Sequence, residues 1–297
     1  MQKPIEWGNR IKTMGATTYE IHHNKDAFTD FLFPNDAVNT VPLHDHDFYE
    51  VYCFLAGSVR YNVESRLCDL KPGDILLIPP GTLHQPLFYR SKGDYERVVL
   101  WISAPYLLSL TRDSSAANCF LGTRGGGNLI RPPDSDRAHI ISLMDNLAAN
   151  QHTDIPLREL RCRSLLNLLL CELNRLALAV QEAGTGPRSS DTILAVLDHV
   201  NEALCKPLFV EQLAERFFIS KSHLLREFKR LMGTSLHRYI VQKRLILAKQ
   251  YLQEGIPPMQ ASLRCGFGEY TSFFRAFRRE YGVTPTEYLR MAAQCPR

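Results

Sequence analysis

Residues Lys221 to Ile240 read KSHLLREFKRLMGTSLHRYI, and residues Tyr270 to Leu289 read YTSFFRAFRREYGVTPTEYL, one pattern set down twice at an interval of 49 positions. Laid over each other, the copies share Arg226 with Arg275, Phe228 with Phe277, Arg230 with Arg279, Gly233 with Gly282 and Tyr239 with Tyr288. Such a repeat is one supersecondary unit used twice. In the first copy Ser220 is a natural N-cap for a helix over Lys221 to Met232, with Leu224, Phe228 and Leu231 forming one inward stripe. The opposite side carries Lys221, Ser222, Leu225, Arg226 and Lys229. A supporting helix over Val210 to Phe217 and a turn at Phe218-Ile219 precede it. The second copy repeats this, with a helix over Pro258 to Arg264, a turn at Gly266-Phe267-Gly268 and a helix over Glu269 to Tyr281. There Phe273 and Phe277 face inward, and Tyr270, Thr271, Phe274, Arg275 and Arg278 face outward.

Two helices joined by a short turn, the second with a basic and polar outer face, form a helix-turn-helix. Between the copies, Leu236 to Gln253 keeps helical periodicity and ends at Gly255. Eighteen residues at roughly 1.5 Å each span about 27 Å. That length can hold two reading heads near the spacing of successive major grooves, about 34 Å. The competing reading is an all-helical interaction module whose arginines are a solvated face. A repeat that keeps both the inward aromatics and an outward arginine argues against it.

Charge separates the same region from the rest. The chain has 297 residues and a net charge of +4. Residues 191–297 hold 16 Lys and Arg against 10 Asp and Glu, a net of +6, whereas residues 1–190 carry a net of −2. A basic half suits a polyanionic partner. The N-terminal residues lack a signal-peptide pattern, and the leucine-rich stretch near Leu165 to Leu176 is broken by polar residues, so no membrane partner is expected. Eight dispersed cysteines without a C-x-x-C pair point to neither a zinc ribbon nor a disulfide framework, and suit a reducing cytoplasm.

The double unit resembles the DNA-binding domain of AraC-type transcription regulators over about residues 195–290. The family's closing signature stands here as Phe267, Phe273, Arg275, Phe277, Gly282, Thr284-Pro285 and Tyr288. The resemblance implies that the helices beginning near Lys221 and Glu269 enter adjacent major grooves. Carried over by position, the base-reading candidates are Ser222, Leu225 and Arg226 in the first head and Tyr270, Thr271 and Arg275 in the second. An arginine can contact guanine O6 and N7 together, and Thr271 or Leu225 can pack on a thymine methyl. Lys221, His223, Lys229, Arg230, Arg278 and Arg279 are better placed for phosphates. Two departures stand out. Phe218 occupies the family's usual turn glycine, where positive φ would strain it by on the order of 1 kcal/mol. Pro258, Ala261 and Ser262 replace aliphatic and alanine positions of the second supporting helix, which is expected to pack less firmly.

Upstream, residues from about 18 to 104 read as short strands separated by turns, the pattern of a sandwich or barrel. Residues 111–135 read as a glycine-rich surface loop. Helical periodicity follows over Asp136 to Asn150 and Pro156 to about Glu182. In the second of these, leucines at 157, 160, 165, 168, 169 and 176, with others at 166, 170 and 173, make a stripe wide enough for a subunit interface as well as a core.

The strand region contains His44-Asp45-His46-Asp47-Phe48-Tyr49-Glu50, then Gly57, then Gly73-Asp74 through Pro79, Gly81 and His84. On an extended strand, residues 44, 46, 48, 50, 52 and 54 share one side. The spacing resembles the cupin barrel, with Phe88 where its metal-binding pattern has Asn. Three imidazoles and a carboxylate form a sensible site for a divalent metal at His44, His46, Glu50 and His84. The AraC resemblance favours the metal-free alternative, in which those groups hydrogen-bond an organic effector and no cofactor is required. Phe48, Tyr52, Tyr61 and Trp101 then supply aromatic walls, a lining that suits a sugar or another small metabolite.

The resulting expectation is a multidomain α+β chain. Residues 1–135 form a cupin-like, effector-sensing β-barrel, 136–183 a helical dimerisation segment, 184–190 a linker, and 191–297 an all-α domain with two helix-turn-helix units. The function implied is a cytoplasmic, non-enzymatic, sequence-specific transcription regulator. Its partners are double-stranded DNA, a small-molecule effector, a second copy of the chain and RNA polymerase. The alternative is a cupin metalloenzyme, an oxygenase or isomerase, fused to a DNA-binding domain.

Overall fold

The computed structural model describes residues 19–26, 39–40, 43–64, 66–88, 95–110, 115–121, 129–151, 153–182 and 192–294. These fall into two compact units on either side of position 189. The expected linker at 184–190 and the triple glycine at 125–127 lie outside the described residues.

The first unit is built from strands β1 (Tyr19–Asp26), β2 (Asn39–Thr40), β3 (Phe48–Ala56), β4 (Val59–Val63), β5 (Arg66–Asp69), β6 (Ile75–Ile78), β7 (His84–Phe88), β8 (Tyr95–Ser103) and β9 (Leu129–Ile130). One antiparallel sheet runs β1-β8-β3-β6-β9 and the other β2-β7-β4-β5. Among the described residues the sheets do not close into a barrel. What ties them is a backbone bridge: His44 and His84 exchange N–H···O bonds of 3.2 and 3.0 Å just before β3 and at the start of β7.

Strand β3 is buried on both faces, and its pleat sorts the side chains. Tyr52 and Phe54 join Tyr61, Tyr95 and Val99 in one cluster, while Val51 and Cys53 join a second cluster that includes the leucines of the following helices. Those helices are α1 (Ala104–Leu110), α2 (Asp134–Asn150) and α3 (Arg158–Glu182), and Ser115–Phe120 inside the expected loop forms a 3-10 turn. The wide leucine stripe of α3 divides. Leu166, Leu169, Leu170, Leu173 and Leu176 are buried, whereas Leu160, Leu168 and Leu178 are exposed, as is Leu157 in the turn before the helix.

The second unit is helical: α4 (Thr192–Glu202), α5 (Val210–Arg216), α6 (Lys221–Met232), α7 (Leu236–Gln253), α8 (Pro258–Arg264), α9 (Tyr270–Tyr281) and α10 (Pro285–Gln294). Ser220 and Ser235 cap α6 and α7 by accepting the N–H of His223 and Arg238. Gly233 and Gly282 end α6 and α9 in the left-handed conformation. Thr284 and Glu287 bond each other's backbone N–H at 3.2 and 2.7 Å, a capping box that starts α10 with Pro285 in its first turn. No helix among the described residues is long and apolar enough to cross a membrane.

Candidate nucleic-acid interface and buried polar cluster

Helices α5 and α6 form the first reading head. Leu224, Phe228, Leu231 and Met232 are buried, so the remaining face of α6 meets solvent. On it stand Ser222, His223, Leu225, Arg226, Lys229 and Arg230, all exposed. Acidic groups hold several of these cations. Lys221 Nζ lies 2.5 Å from Glu211 of α5, Arg230 donates to Glu227 at 2.7 Å, and Arg226 lies 3.2 Å from His223 Nδ1 and 3.7 Å from Glu227. Lys221 and Arg230 hold the carboxyls of Glu211 and Glu227 below the ordinary range.

Helices α8 and α9 form the second head. Phe273, Ala276, Phe277 and Tyr281 are buried; Thr271, Arg275, Arg278 and Arg279 are exposed, and Tyr270 and Phe274 are half-buried. Arg275 donates to the Thr271 carbonyl at 3.3 Å, along its own helix. The supporting helix is firmly packed, against expectation: Ala261, Ser262 and Cys265 are buried, and Ala261 and Cys265 share one cluster with Leu245 and Ala248 of α7 and Phe273 of α9. Small side chains let α8 approach its neighbours closely.

The heads differ at their turns. Helix α5 ends with Phe218 N–H bonded to the Glu215 carbonyl and Ile219 N–H to Ala214; α8 ends with Gly266 N–H bonded to Leu263 and Phe267 N–H to Ser262. Both are Schellman closures, which place one residue in the left-handed region. That residue is Phe218 at φ 55 in the first head and Gly266 at φ 84 in the second. The N-caps follow at Ser220 and Glu269, so the second turn is one residue longer, by Gly268. A Cβ on Gly266 would lie 2.7 Å from the Cys205 carbonyl oxygen, which makes glycine obligatory. Arg244 of α7 fastens the same junction, donating to the carbonyls of Leu204 and Lys206 at 2.9 and 2.8 Å with its guanidinium 6.0 Å from the Phe267 ring.

In the first unit, His46, Glu50 and His84 converge. Each imidazole is oriented by a carbonyl: His46 Nδ1 on Phe48 and His84 Nδ1 on Thr82, both at 2.8 Å. Those contacts place hydrogen on Nδ1 and turn both Nε2 atoms toward one carboxylate oxygen, Glu50 Oε2, at 2.8 Å from His46 and 3.8 Å from His84. Burial, then His44 and His46, push the His84 imidazole well below its usual range, so it is neutral. Its Nε2 is buried and finds no hydrogen-bond partner among the described residues. With Nδ1 of His46 donating, the short contact between its Nε2 and the carboxylate requires a proton or a cation between them.

The other expected pocket residues surround this cluster unequally. Strand β3 begins at Phe48, so His44 and His46 lie on an irregular lead-in rather than on the strand. His44 is half-buried, its ring 4.3 Å from that of His84, and it is not one of the three groups whose ligand atoms lie within 4.8 Å of one another. Phe48 stacks on His46 at 3.9 Å and contacts Trp101 at 5.3 Å; Tyr61 lies 4.9 Å from Tyr52 and 6.3 Å from His84. Two residues of this interior escaped sequence reasoning. Tyr95 hydrogen-bonds Tyr52 through the hydroxyls, and the Arg97 guanidinium lies 4.9 Å from the Tyr95 ring. The signal was the period of two counted back along β8 from Trp101 through Val99.

Comparisons with known proteins agree with this division. Residues 32–166 match the family profile described as AraC-like ligand binding domain, and residues 213–291 match one described as Helix-turn-helix domain. LumQ of Photobacterium leiognathi, described as a probable transcriptional regulator, is 27% identical over 248 residues, 82% of this chain and 90% of that protein. The multiple antibiotic resistance protein MarA of Escherichia coli is 35% identical over 98 residues, 33% of this chain and 77% of MarA. The transcriptional activator RhaR of Shigella dysenteriae is 23% identical over 253 residues, 84% of this chain and 88% of RhaR.

Proposed function

Because the chain belongs to the AraC-type transcription regulators, with a ligand-binding N-terminal unit and a helix-turn-helix DNA-binding C-terminal unit, we propose that it is a cytoplasmic homodimer whose operator occupancy follows a small polar metabolite, a sugar foremost. The observation that carries DNA reading is the equivalence of Arg226 and Arg275, each exposed on the second helix of a helix-turn-helix, the two joined by α7. Ser222 and Leu225 in the first head, and Tyr270 and Thr271 in the second, complete the base-reading set. Lys221, His223, Lys229, Arg230, Arg278 and Arg279 meet phosphates, and RNA polymerase is the downstream partner. Exposed Leu160, Leu168 and Leu178 on α3 support the dimer, since leucines left to solvent on one helix gain by pairing with a second copy. The seven described cysteines are all free, which suits a reducing compartment.

Effector binding is assigned to the interior around His46, Glu50, His84, Tyr52, Tyr61 and Trp101, with Phe48 buttressing His46 and His44 flanking His84. Binding there shifts the balance between dimer arrangements and so changes which half-sites are spanned. Footprinting of the full-length protein on its promoter, with and without a panel of sugars, tests this. A ligand-dependent change of pattern is expected; identical patterns for every ligand that binds the first unit would refute the sensing role.

A second reading is carried by the buried Nε2 of His84 and its convergence with His46 and Glu50. The backbone-oriented imidazoles have the outer-shell support typical of metal ligands. A divalent cation held by these three residues would supply a Lewis-acidic anchor for an effector oxygen. Elemental analysis of the purified protein separates the readings: near-stoichiometric metal, lost in His84→Ala, supports the cation, and metal-free protein removes it together with the metalloenzyme alternative.

A further inference from the structure

Phe218 is the one residue of the two turns whose conformation and exposure both work against the isolated protein. It sits at φ 55, where a side chain costs about 1 kcal/mol. Its ring is 96% exposed. The second head shows that the backbone alone does not ask for it: the same Schellman position is filled by Gly266, and there a close neighbour forbids any side chain. Glycine would satisfy the first turn equally well. A strained residue presenting an aromatic ring to solvent is explained by something that covers the ring.

Its place in the chain says what that is. Phe218 stands two residues before Ser220, the N-cap of α6, and the chain runs directly into exposed Lys221, Ser222, Leu225 and Arg226. The N-terminal end of a recognition helix is the end that meets bases, and its unpaired N–H groups draw phosphate toward it. Leu225, exposed to 36%, already puts apolar surface among the polar readers. Resting on the reading of α6 as a recognition helix, we propose that Phe218 is a DNA-contacting residue of the first head, its ring laid on an apolar edge of the duplex, deoxyribose carbon or thymine methyl, beside the bases that α6 reads.

The test uses the full chain, a duplex selected by the wild-type protein from a random library, and the variants Phe218→Gly, Phe218→Asn and Phe218→Tyr. Glycine and asparagine tolerate left-handed φ, so both should melt at or above the wild-type temperature. Both should nevertheless bind the duplex about tenfold more weakly, the scale of partial burial of one aromatic ring. No charge is lost, so the slope of log affinity against log salt stays at the wild-type value. Phe218→Tyr keeps the ring and the affinity. Wild-type affinity in the glycine and asparagine variants would overturn the proposal, and if these variants failed to activate transcription with RNA polymerase, the ring's partner would be protein. A loss in Phe218→Tyr as large as in Phe218→Gly would overturn it too, by assigning the effect to the turn. Failure of the wild-type protein to select any duplex would instead strike the DNA-binding reading itself.

Discussion

The two reading heads close their first helices with the same pair of hydrogen bonds and then solve the left-handed position in opposite ways. In the second head Gly266 is pressed against the backbone at Cys205, and Arg244 fastens residues 204 and 206 to the same corner. In the first head the position is open, and Phe218 projects into solvent. Cations differ in parallel. Glu211 and Glu227 hold Lys221, Arg226 and Arg230, while Arg278 and Arg279 stand exposed at the end of α9. A duplicated unit thus keeps its fold where buried aromatics require it and diverges where side chains meet solvent. One head is locked to the scaffold by its turn; the other spends its turn on an exposed ring.

The largest expected effect breaks that contrast at glycine. Gly266→Ala adds a Cβ within 3.0 Å of three Cys205 backbone atoms and strains φ, so it should destabilise the second unit by about 3 kcal/mol or more. Gly282→Ala, with nothing within 4 Å of the added carbon, should cost only about 1 kcal/mol of backbone strain. Thermal melts of both variants check the difference; equal losses would mean that the Cys205 contact yields freely.

Next come the paired arginines. Arg226→Ala and Arg275→Ala should each cost about 1–3 kcal/mol of specific binding and relax preference at one base pair, at different places in the site. Competition binding against single-base variants of the selected duplex reads this, and equal loss on random DNA would remove these residues from base reading. Smaller still, Arg279→Ala should weaken all sequences alike and lower the salt slope by about one. The smallest effect belongs to Glu211→Gln. Freeing Lys221 for phosphate should tighten binding by about twofold at low salt, and screening should erase the gain at high salt. Weaker binding at low salt would mean that Glu211 positions Lys221 for DNA.

How far these differences were legible beforehand depended on where each signal is written. Helices α6 and α9 followed from the spacing of Leu224, Phe228, Phe273 and Phe277, because a 3.6-residue period is a local property of the chain. The His46, Glu50 and His84 cluster is legible from its spacing, but the place of His44 is not: an unbroken strand would set it on the same side, whereas the pleat starts at Phe48 after the bridge between His44 and His84. Tyr95 and Arg97 reach the same interior from a distant strand, and only the register pairing Glu50 with Trp101 brings them there. The hold of Glu211 on Lys221 and the pressure of Cys205 on Gly266 are tertiary contacts, and no sequence period announces either. The firm packing of α8 is hidden in the sequence because small residues such as Ala261 and Ser262 fit close approach as well as weak packing.

The most direct measurement is selection of duplexes from a random library by the full-length protein, followed by sequencing of the bound fraction. Two heads with equivalent arginines but unlike neighbours, Ser222 and Leu225 against Thr271 and Phe274, predict an asymmetric half-site. It should contain two different base blocks centred about 10 base pairs apart, with Arg226→Ala erasing information in one block only and Arg275→Ala in the other. Enrichment of one block repeated twice, or information lost from both blocks by either substitution, would contradict two unequal heads reading adjacent major grooves.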